Sequence, residues 1–419
     1  MGHISYLLSG KWVIKRIIID VIIPSQEPVD TIFLQLYSHY CLKRSIKSAE
    51  KSDILEQQLI IIISIGKEVR LLSQKKNRQT TSEEIQWTSR SYSAIIVLIA
   101  GISLLCLGAL LSISLGAADI HLRTVWDAIF HFQPTETSHQ IIHDLRLPRT
   151  AAAALVGALL AVSGAIMQGM TRNPLAEPSI MGVTSGSAFA VSLAFAFFPG
   201  LSAMGLVLWS FAGAGLGAST VMGIGMFSRG GLTPVKLALA GTAVTYFFTG
   251  ISTAIAIRFD VAQDISFWYA GGVAGVKWSG VQLLLLAGAV GLTLAFIIAR
   301  SVTVLSLGDE LAKGLGQYTS AVKLVGMLVV VILTGAAVSI AGTIAFIGLI
   351  IPHITRFLVG VDYRWIIPCS AVLGAVLLVF ADIAARLVNA PFETPVGALT
   401  SLIGVPFFFY LARRERRGL

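Results

Sequence analysis

From residue 94 to the C-terminus, apolar runs alternate with short polar islands, and the runs are close to the 20 or so residues a helix needs to cross the hydrocarbon of a bilayer. They fall near 94–115, 150–170, 180–199, 203–227, 235–257, 280–299, 324–344, 345–360, 366–388 and 396–411, ten in all. This pattern predicts an all-α polytopic membrane protein of about ten transmembrane helices. The run 345–360 is short and holds Pro352, His353 and Arg356. Such groups find partners at membrane depth only inside a helix bundle.

The first 90 residues break the pattern. Their apolar stretches, Ile17 to Ile23 around Asp20 and Leu59 to Ile65, are too short to span, and neither has the layout of a cleavable signal peptide. Residues 1–90 read as a polar, basic N-terminal extension to a transmembrane domain of residues 91–419. No methionine lies between Met1 and Met167. An internal start at a Val or Leu codon, such as Val69 or Leu72, would remove most of the extension; a genuine cytoplasmic segment, disordered in character, is the other reading.

Composition identifies the solvent. With 55% hydrophobic residues, 13% charged residues and a mean hydropathy of +0.80, the chain falls far below the roughly 25% charge of soluble domains. Its 40 glycines suit helices that approach closely where lipid and helix are equally apolar. Cys41, Cys106 and Cys369 are scattered singly and indicate neither a disulfide framework nor a thiolate metal site.

A net charge of +9 could suggest nucleic acid, but 13 of the 31 Lys and Arg lie in residues 1–90 and most of the others occupy short loops. That is the distribution of residues that orient a membrane protein. With both termini cytoplasmic, the inner loops and tail collect Arg172, Arg229, Lys236, Arg300, Lys313, Lys323, Arg356, Arg364, Arg413, Arg414, Arg416 and Arg417. The outer side collects Arg123, Arg146, Arg149, Arg258, Lys277 and Arg386. Twelve against six obeys the positive-inside rule.

Soluble chemistry is missing. The chain has no P-loop, no His-Glu-x-x-His and no nucleophile elbow, so no enzyme activity, bound cofactor or resident metal is expected of it. His121, His131, His139 and His143 lie near one another before the second run, but at irregular spacing in a polar segment. A solvated loop explains them better than a metal site.

Two polar islands bracket the second run, Leu145-Arg146-Leu147-Pro148-Arg149 before it and Arg172-Asn173-Pro174-Leu175-Ala176-Glu177-Pro178 after it. The text from Leu145 to Met181, LRLPRTAAAALVGALLAVSGAIMQGMTRNPLAEPSIM, closely resembles the signature of the FecCD-type ABC transporter permeases, importers of ferric siderophores, haem and cobalamin. Leu305 to Gly316, LSLGDELAKGLG, resembles that family's cytoplasmic coupling segment. Gly342 to Arg364 (GTIAFIGLIIPHITRFLVGVDYR), ADIAAR ending at Arg386, and Pro391 to Phe408 resemble its C-terminal part. The likeness covers roughly 91–419.

The resemblance implies a type II ABC importer permease: a dimer of ten-helix subunits, with itself or with a paralogous permease, in the cytoplasmic (inner) membrane. Two separate ATP-binding subunits, which use ATP and Mg, would sit on the cytoplasmic face, and an extracytoplasmic substrate-binding protein would deliver a metal chelate. A ferric siderophore is the leading cargo, with haem and cobalamin open, and no substrate ligand is assigned on this chain.

By the same resemblance Arg146, Arg149 and Arg386 dock carboxylates of the binding protein, a task suited to the rigid guanidinium fork. Headgroup anchoring competes for the first two, and an intrahelical pair with Asp382, or a contact with Glu393, competes for Arg386. Within the coupling segment, Leu307, Leu311 and Leu315 recur every four residues, the pattern of a small helix laying an apolar ridge in a partner's groove. Asp309, Glu310 and Ala312 fill the other positions, and Gly308, Gly314 and Gly316 permit sharp turns. A helix resting on the bilayer interface is the alternative.

Asn173, Pro174, Leu175 and Ala176 read as an architectural inner turn in which Asn173 caps free backbone groups, and Pro352-His353 as a kink with a satisfied imidazole. A lone ion-coupled transporter would instead need carboxylates in mid-span and helices broken at the midplane. Asp382, near a helix end, is the one clear carboxylate candidate in the sequence.

Overall fold

In a computed structural model of the protein, residues 91–115, 121–227, 234–389 and 392–415 are described. The extension 1–90 and the tail and loop arginines Arg229, Arg416 and Arg417 lie outside them. Every regular element among the described residues is helical. In chain order these are α1 (Ser91–Ser114), α2 (Leu122–Phe130), α3 (Thr137–Ile141), a π turn (Ile142–Arg146), α4 (Leu147–Thr171), a 3-10 turn (Pro178–Met181), α5 (Val183–Phe197), α6 (Ala203–Phe227), α7 (Pro234–Phe259), α8 (Ala262–Ala270), α9 (Trp278–Ser306), α10 (Asp309–Gly314), α11 (Thr319–Ala341), α12 (Ile347–Val359), α13 (Tyr363–Val388) and α14 (Val396–Glu415).

Seven of the described helical stretches are long and apolar enough to cross a membrane, and α5, α12 and Val396–Leu411 of α14 are shorter apolar helices. Together they occupy, in order, the ten runs read from the sequence. The protein is a multi-pass membrane protein.

The central post is α4. Its text is apolar or small on all sides, the composition of a helix surrounded by others, and all but a few of its residues are buried. Around it stand α13, α9, α11, α12 and α1, while α5, α6 and α7 form an adjoining group. Glycines set the closest crossings. A Cβ on Gly157 would strike the Gly374 carbonyl of α13, and one on Gly164 would strike the Gly348 carbonyl of α12. Small residues let backbones meet where lipid supplies no hydrophobic force between helices.

Two of the ten helices are broken at depth, which the apolar runs did not reveal. At 15 and 13 residues, α5 and α12 extend only about 20 Å, short of the bilayer core. After α4 ends at Arg172 in the left-handed conformation (φ 52°), the chain turns back among the helices. Ile180 lies against Gly241, seven residues inside α7; Gly182 lies against Gly217 of α6; and Pro178 meets Gly348, itself against Gly164, seven residues before the end of α4. Seven helical residues are about 10 Å. Residues 173–182 are therefore re-entrant, and the inner turn expected there is only their first part. The segment 342–346 does the same for α12, ending at Phe346 with φ 70°.

The loop before the second span is also more ordered than its polarity suggested. In it α2 buries Val125 and Ala128 with Ile113 and Ile142, and presents Trp126, Ile129 and Phe130 outward.

Candidate functional site

Three arrangements concentrate the polar groups of the bundle: one at each end and one at mid-depth.

At the end where α4 begins, five charged side chains converge. Asp382 of α13, fully buried, receives Arg149 Nε at 3.1 Å and Nη2 at 2.9 Å, and pairs with Arg386 Nη2 at 3.0 Å one helical turn along. The remaining nitrogen of the Arg149 fork, Nη1, donates to Glu393 Oε1 at 2.6 Å. Glu393 stands on the link to α14 with its side chain 51% exposed.

Arg386 also donates to the carbonyls of Ser112 (2.9 Å) and Leu115 (3.2 Å) and to the Ser112 hydroxyl (2.6 Å), and Arg146 donates to the carbonyls of Ile113 and Ser114. Those carbonyls are the last of α1, which have no intrahelical donor and carry the negative end of its dipole. Two guanidiniums from distant parts of the chain thus cap α1, and the third binds α4 to α13. The intrahelical Asp382–Arg386 pair is present; Glu393, expected near Arg386, holds Arg149 instead.

The histidines of this end do not converge. His139 is buried, accepts the Gln133 N–H at Nδ1 (3.1 Å) and meets Glu136; His143 bonds Asp144; His121 and His131 are exposed. Among the described residues no cluster of three or more His, Cys, Asp or Glu could hold a metal.

At the opposite end, α10 projects between α9 and α11. Leu307, Leu311 and Leu315 are 51%, 61% and 72% exposed, with Tyr318 exposed beside them, while Ala312 on the other side is fully buried. The three leucines are exposed, but they do not form one helical ridge: only Leu311 lies within α10, and Leu307 and Leu315 stand at the turns before and after it because Gly308 interrupts the helix. Glu310 and Lys313 are exposed, and Asp309 is tied to Lys323 Nζ of α11 at 2.6 Å. Gly308 (φ 139°) and Gly316 (φ 78°) make the turns into and out of the helix; Gly314 needs no such conformation.

Alongside, Asn173 Oδ1 accepts the Leu175 N–H at 2.9 Å, the expected cap, and Ala176 is buried. Pro352 is buried within α12, His353 meets the Phe407 ring, and Arg356 donates to Gln168 Oε1 of α4. Gln168 in turn donates to the carbonyls of Gly348 and Leu349, the first of which has no intrahelical donor because Pro352, four residues on, lacks an N–H. Asp362 caps α13 through the Arg364 N–H. Burial pushes its carboxyl up, but the hydrogen bonds and charge of Arg364 outweigh this and hold it below the usual carboxylate range.

Between the ends lies the junction of the two re-entrant segments. Glu177 Oε1 accepts the Phe346 N–H at 3.0 Å. Sequence reading left Glu177 in a surface turn. The signal that could have raised it is local: an acidic residue between Ala176 and Pro178, followed directly by another apolar run.

A family model, that of the FecCD transport family, matches residues 104–414. Among characterised relatives, the iron(3+)-hydroxamate import system permease protein FhuB of Bacillus subtilis (strain 168) is 93% identical over 384 residues, 92% of this chain and 100% of the relative. The iron-uptake system permease protein FeuB of the same organism is 46% identical over 79% of this chain and 97% of its own length. The hemin transport system permease protein HmuU of Yersinia pestis is 38% identical over 75% and 94%. A solved structure, the inward-facing conformation of an ABC transporter assigned to the metal-chelate type, superposes with a TM-score of 0.67 at 30% identity, covering 76% of this chain and 99% of the other.

Proposed function

We propose the roles of this chain from one premise: it belongs to the FecCD transport family. It is a membrane-spanning permease subunit of an ABC importer, a transporter component and not an enzyme, with ATP hydrolysis on a separate subunit. Its cargo, on our reading, is a ferric hydroxamate siderophore. The observation that carries this is 93% identity along the whole length of a permease named for hydroxamate import, since an exposed wall of apolar and small side chains discriminates weakly between chelates.

Two such chains, or one with a paralogous permease, would enclose the path in the cytoplasmic membrane, with both termini cytoplasmic. The leucine-bearing segment around α10 is our candidate seat for an ATP-binding subunit. Its geometry supports this: Leu311 on the short helix, with Leu307, Leu315 and Tyr318 exposed at the turns on either side, and the segment held from behind by Ala312 and the Asp309–Lys323 pair. Nucleotide-driven closure of two such subunits would push α10 and rock the helix bundles between outward and inward access.

At the other end we assign docking of the binding protein to the rim of the arginine cluster. Arg146 and Arg386 are largely committed to α1, so they act by holding the rim in place. Arg149 is buried and already paired with Asp382 and Glu393, so it too acts by holding the rim in place, and the exposed group at that point is Glu393.

Uptake of labelled iron presented as several siderophores, beside labelled haem and cobalamin, tests the cargo in cells with and without the chain. Loss of hydroxamate-borne iron alone is expected. Unchanged iron uptake with lost haem or cobalamin uptake would overturn the cargo and leave the permease.

A further inference from the structure

Beside Glu177 the bundle holds a small, partly open pocket of about 20 Å³, lined by the polar residues Glu177, Ser179, Thr184 and Thr334 and by apolar neighbours that include Leu160 and Val338. Its depth follows from the helices around it. Leu160 lies eleven residues before the end of α4, and Thr334 lies fifteen residues into α11 from the same end of the bundle. At 1.5 Å per residue those positions are about 16 and 22 Å along their helices, near the middle of the bilayer.

Thr334 is 2% exposed, and its hydroxyl has no hydrogen-bond partner in the protein. A buried hydroxyl left without a partner is destabilising. The carboxylate across the cavity takes one bond, from the Phe346 N–H, and a carboxylate has sites for about four. A cavity of at least 10–15 Å³ with two or more polar partners is enough to hold one water.

We propose that this cavity is a hydration site: one ordered water, accepted into the bundle at mid-depth, receives or donates a hydrogen bond at the Thr334 hydroxyl and donates to the Glu177 carboxylate. The water thereby links α11 to the junction where Glu177 holds the start of α12, so three interrupted or neighbouring elements share one polar contact. The site is independent of the cargo and of the docking roles above.

Thr334→Val tests it, because the two occupancies give shifts of opposite sign. In a hydrated cavity the valine removes a partner of the water, and thermal unfolding of the full chain in lipid nanodiscs moves to lower temperature. In a dry cavity it removes an orphan hydroxyl, and the midpoint stays or rises, which would overturn the proposal. Thr334→Ser, which keeps the hydroxyl, separates this from a packing effect: a water peak within hydrogen-bond distance of residue 334 and Glu177 is expected in density maps of the wild type and of Thr334→Ser, and is lost in Thr334→Val. A midpoint that depends on sodium when sodium is exchanged for choline would identify the occupant as a cation and overturn the water.

Discussion

Asp382 is the residue on which the arginine end turns. It is fully buried and faces two guanidiniums. Removing one partner of such a group leaves uncompensated charge inside, at a cost of about 3–5 kcal/mol. Asp382→Asn should therefore lower the unfolding midpoint of the detergent-solubilised chain sharply, whereas Glu393→Gln, at a half-exposed position, should shift it little, an exposed pair contributing about 0–1 kcal/mol. Equal shifts would contradict the geometry. Asp362 carries the pH sign: a carboxyl held below its ordinary value adds stability that is present above the unfolded-state value and disappears as pH falls through the folded one. Midpoints followed from neutral pH downward should feel Asp362 only in strongly acidic solution, and Asp362→Asn should flatten that part of the curve. The Asp382–Arg386 pair was visible in the sequence because the two residues are four apart on a helix. Arg149 and Asp382 are 233 positions apart, and nothing local couples them.

At the scale of elements, the short helix α10 and the broken helices behave differently. Leu311 of α10 points away from its own bundle, so Leu311→Glu should leave the folded chain intact. It should cut ATP-dependent uptake and co-purification of an ATP-binding subunit several-fold, the loss of an apolar anchor exceeding about 1 kcal/mol at such interfaces. Intact co-purification would remove α10 from the interface. The leucine spacing pointed to this segment, but the continuous helix it implies is interrupted at Gly308, so Leu311 alone is on α10 and Leu307 and Leu315 flank it. The interruption of α5 and α12 was not readable. Apolar text satisfies the bilayer whether the backbone is helical or re-entrant, and what permits re-entry is that neighbouring helices supply bonds to the freed groups. Glu177 and Gln168 are those suppliers, and both act on residues more than 160 positions away. Gly157→Val probes the packing itself: its Cβ falls on the Gly374 carbonyl, and overpacking of this kind costs about 1–3 kcal/mol, measurable as a lower midpoint.

For the whole molecule the prediction concerns sidedness and dependence on partners. Cysteines introduced at Glu393 and at Lys313, both exposed, should react with a membrane-impermeant thiol reagent from opposite sides of intact cells, position 393 from outside only. Labelling from one side alone would break the ten-span topology. In proteoliposomes the chain alone should move no chelate, and uptake should appear only with the ATP-binding subunits, the binding protein and ATP. A chain that transports unaided would be the secondary transporter whose marks, broken helices and a carboxylate at mid-depth, the fold does contain. In this structure those marks have a local cause: the Glu177 carboxylate is engaged with the Phe346 N–H at the start of a half-helix.

What the sequence by itself determined was number and order: ten apolar stretches, the polar and basic islands between them, and the leucine-bearing segment around α10. These follow from hydropathy, charge and helix period, each readable within a window of some 20 residues. Which carboxylate each arginine meets, that two arginines cap α1, and that Glu177 lies at mid-membrane depth were decided only by the tertiary structure. Those facts depend on which helices cross at Gly157 and Gly164, and the energy of a buried polar group is set by its partner across the bundle and not by its neighbours in the chain.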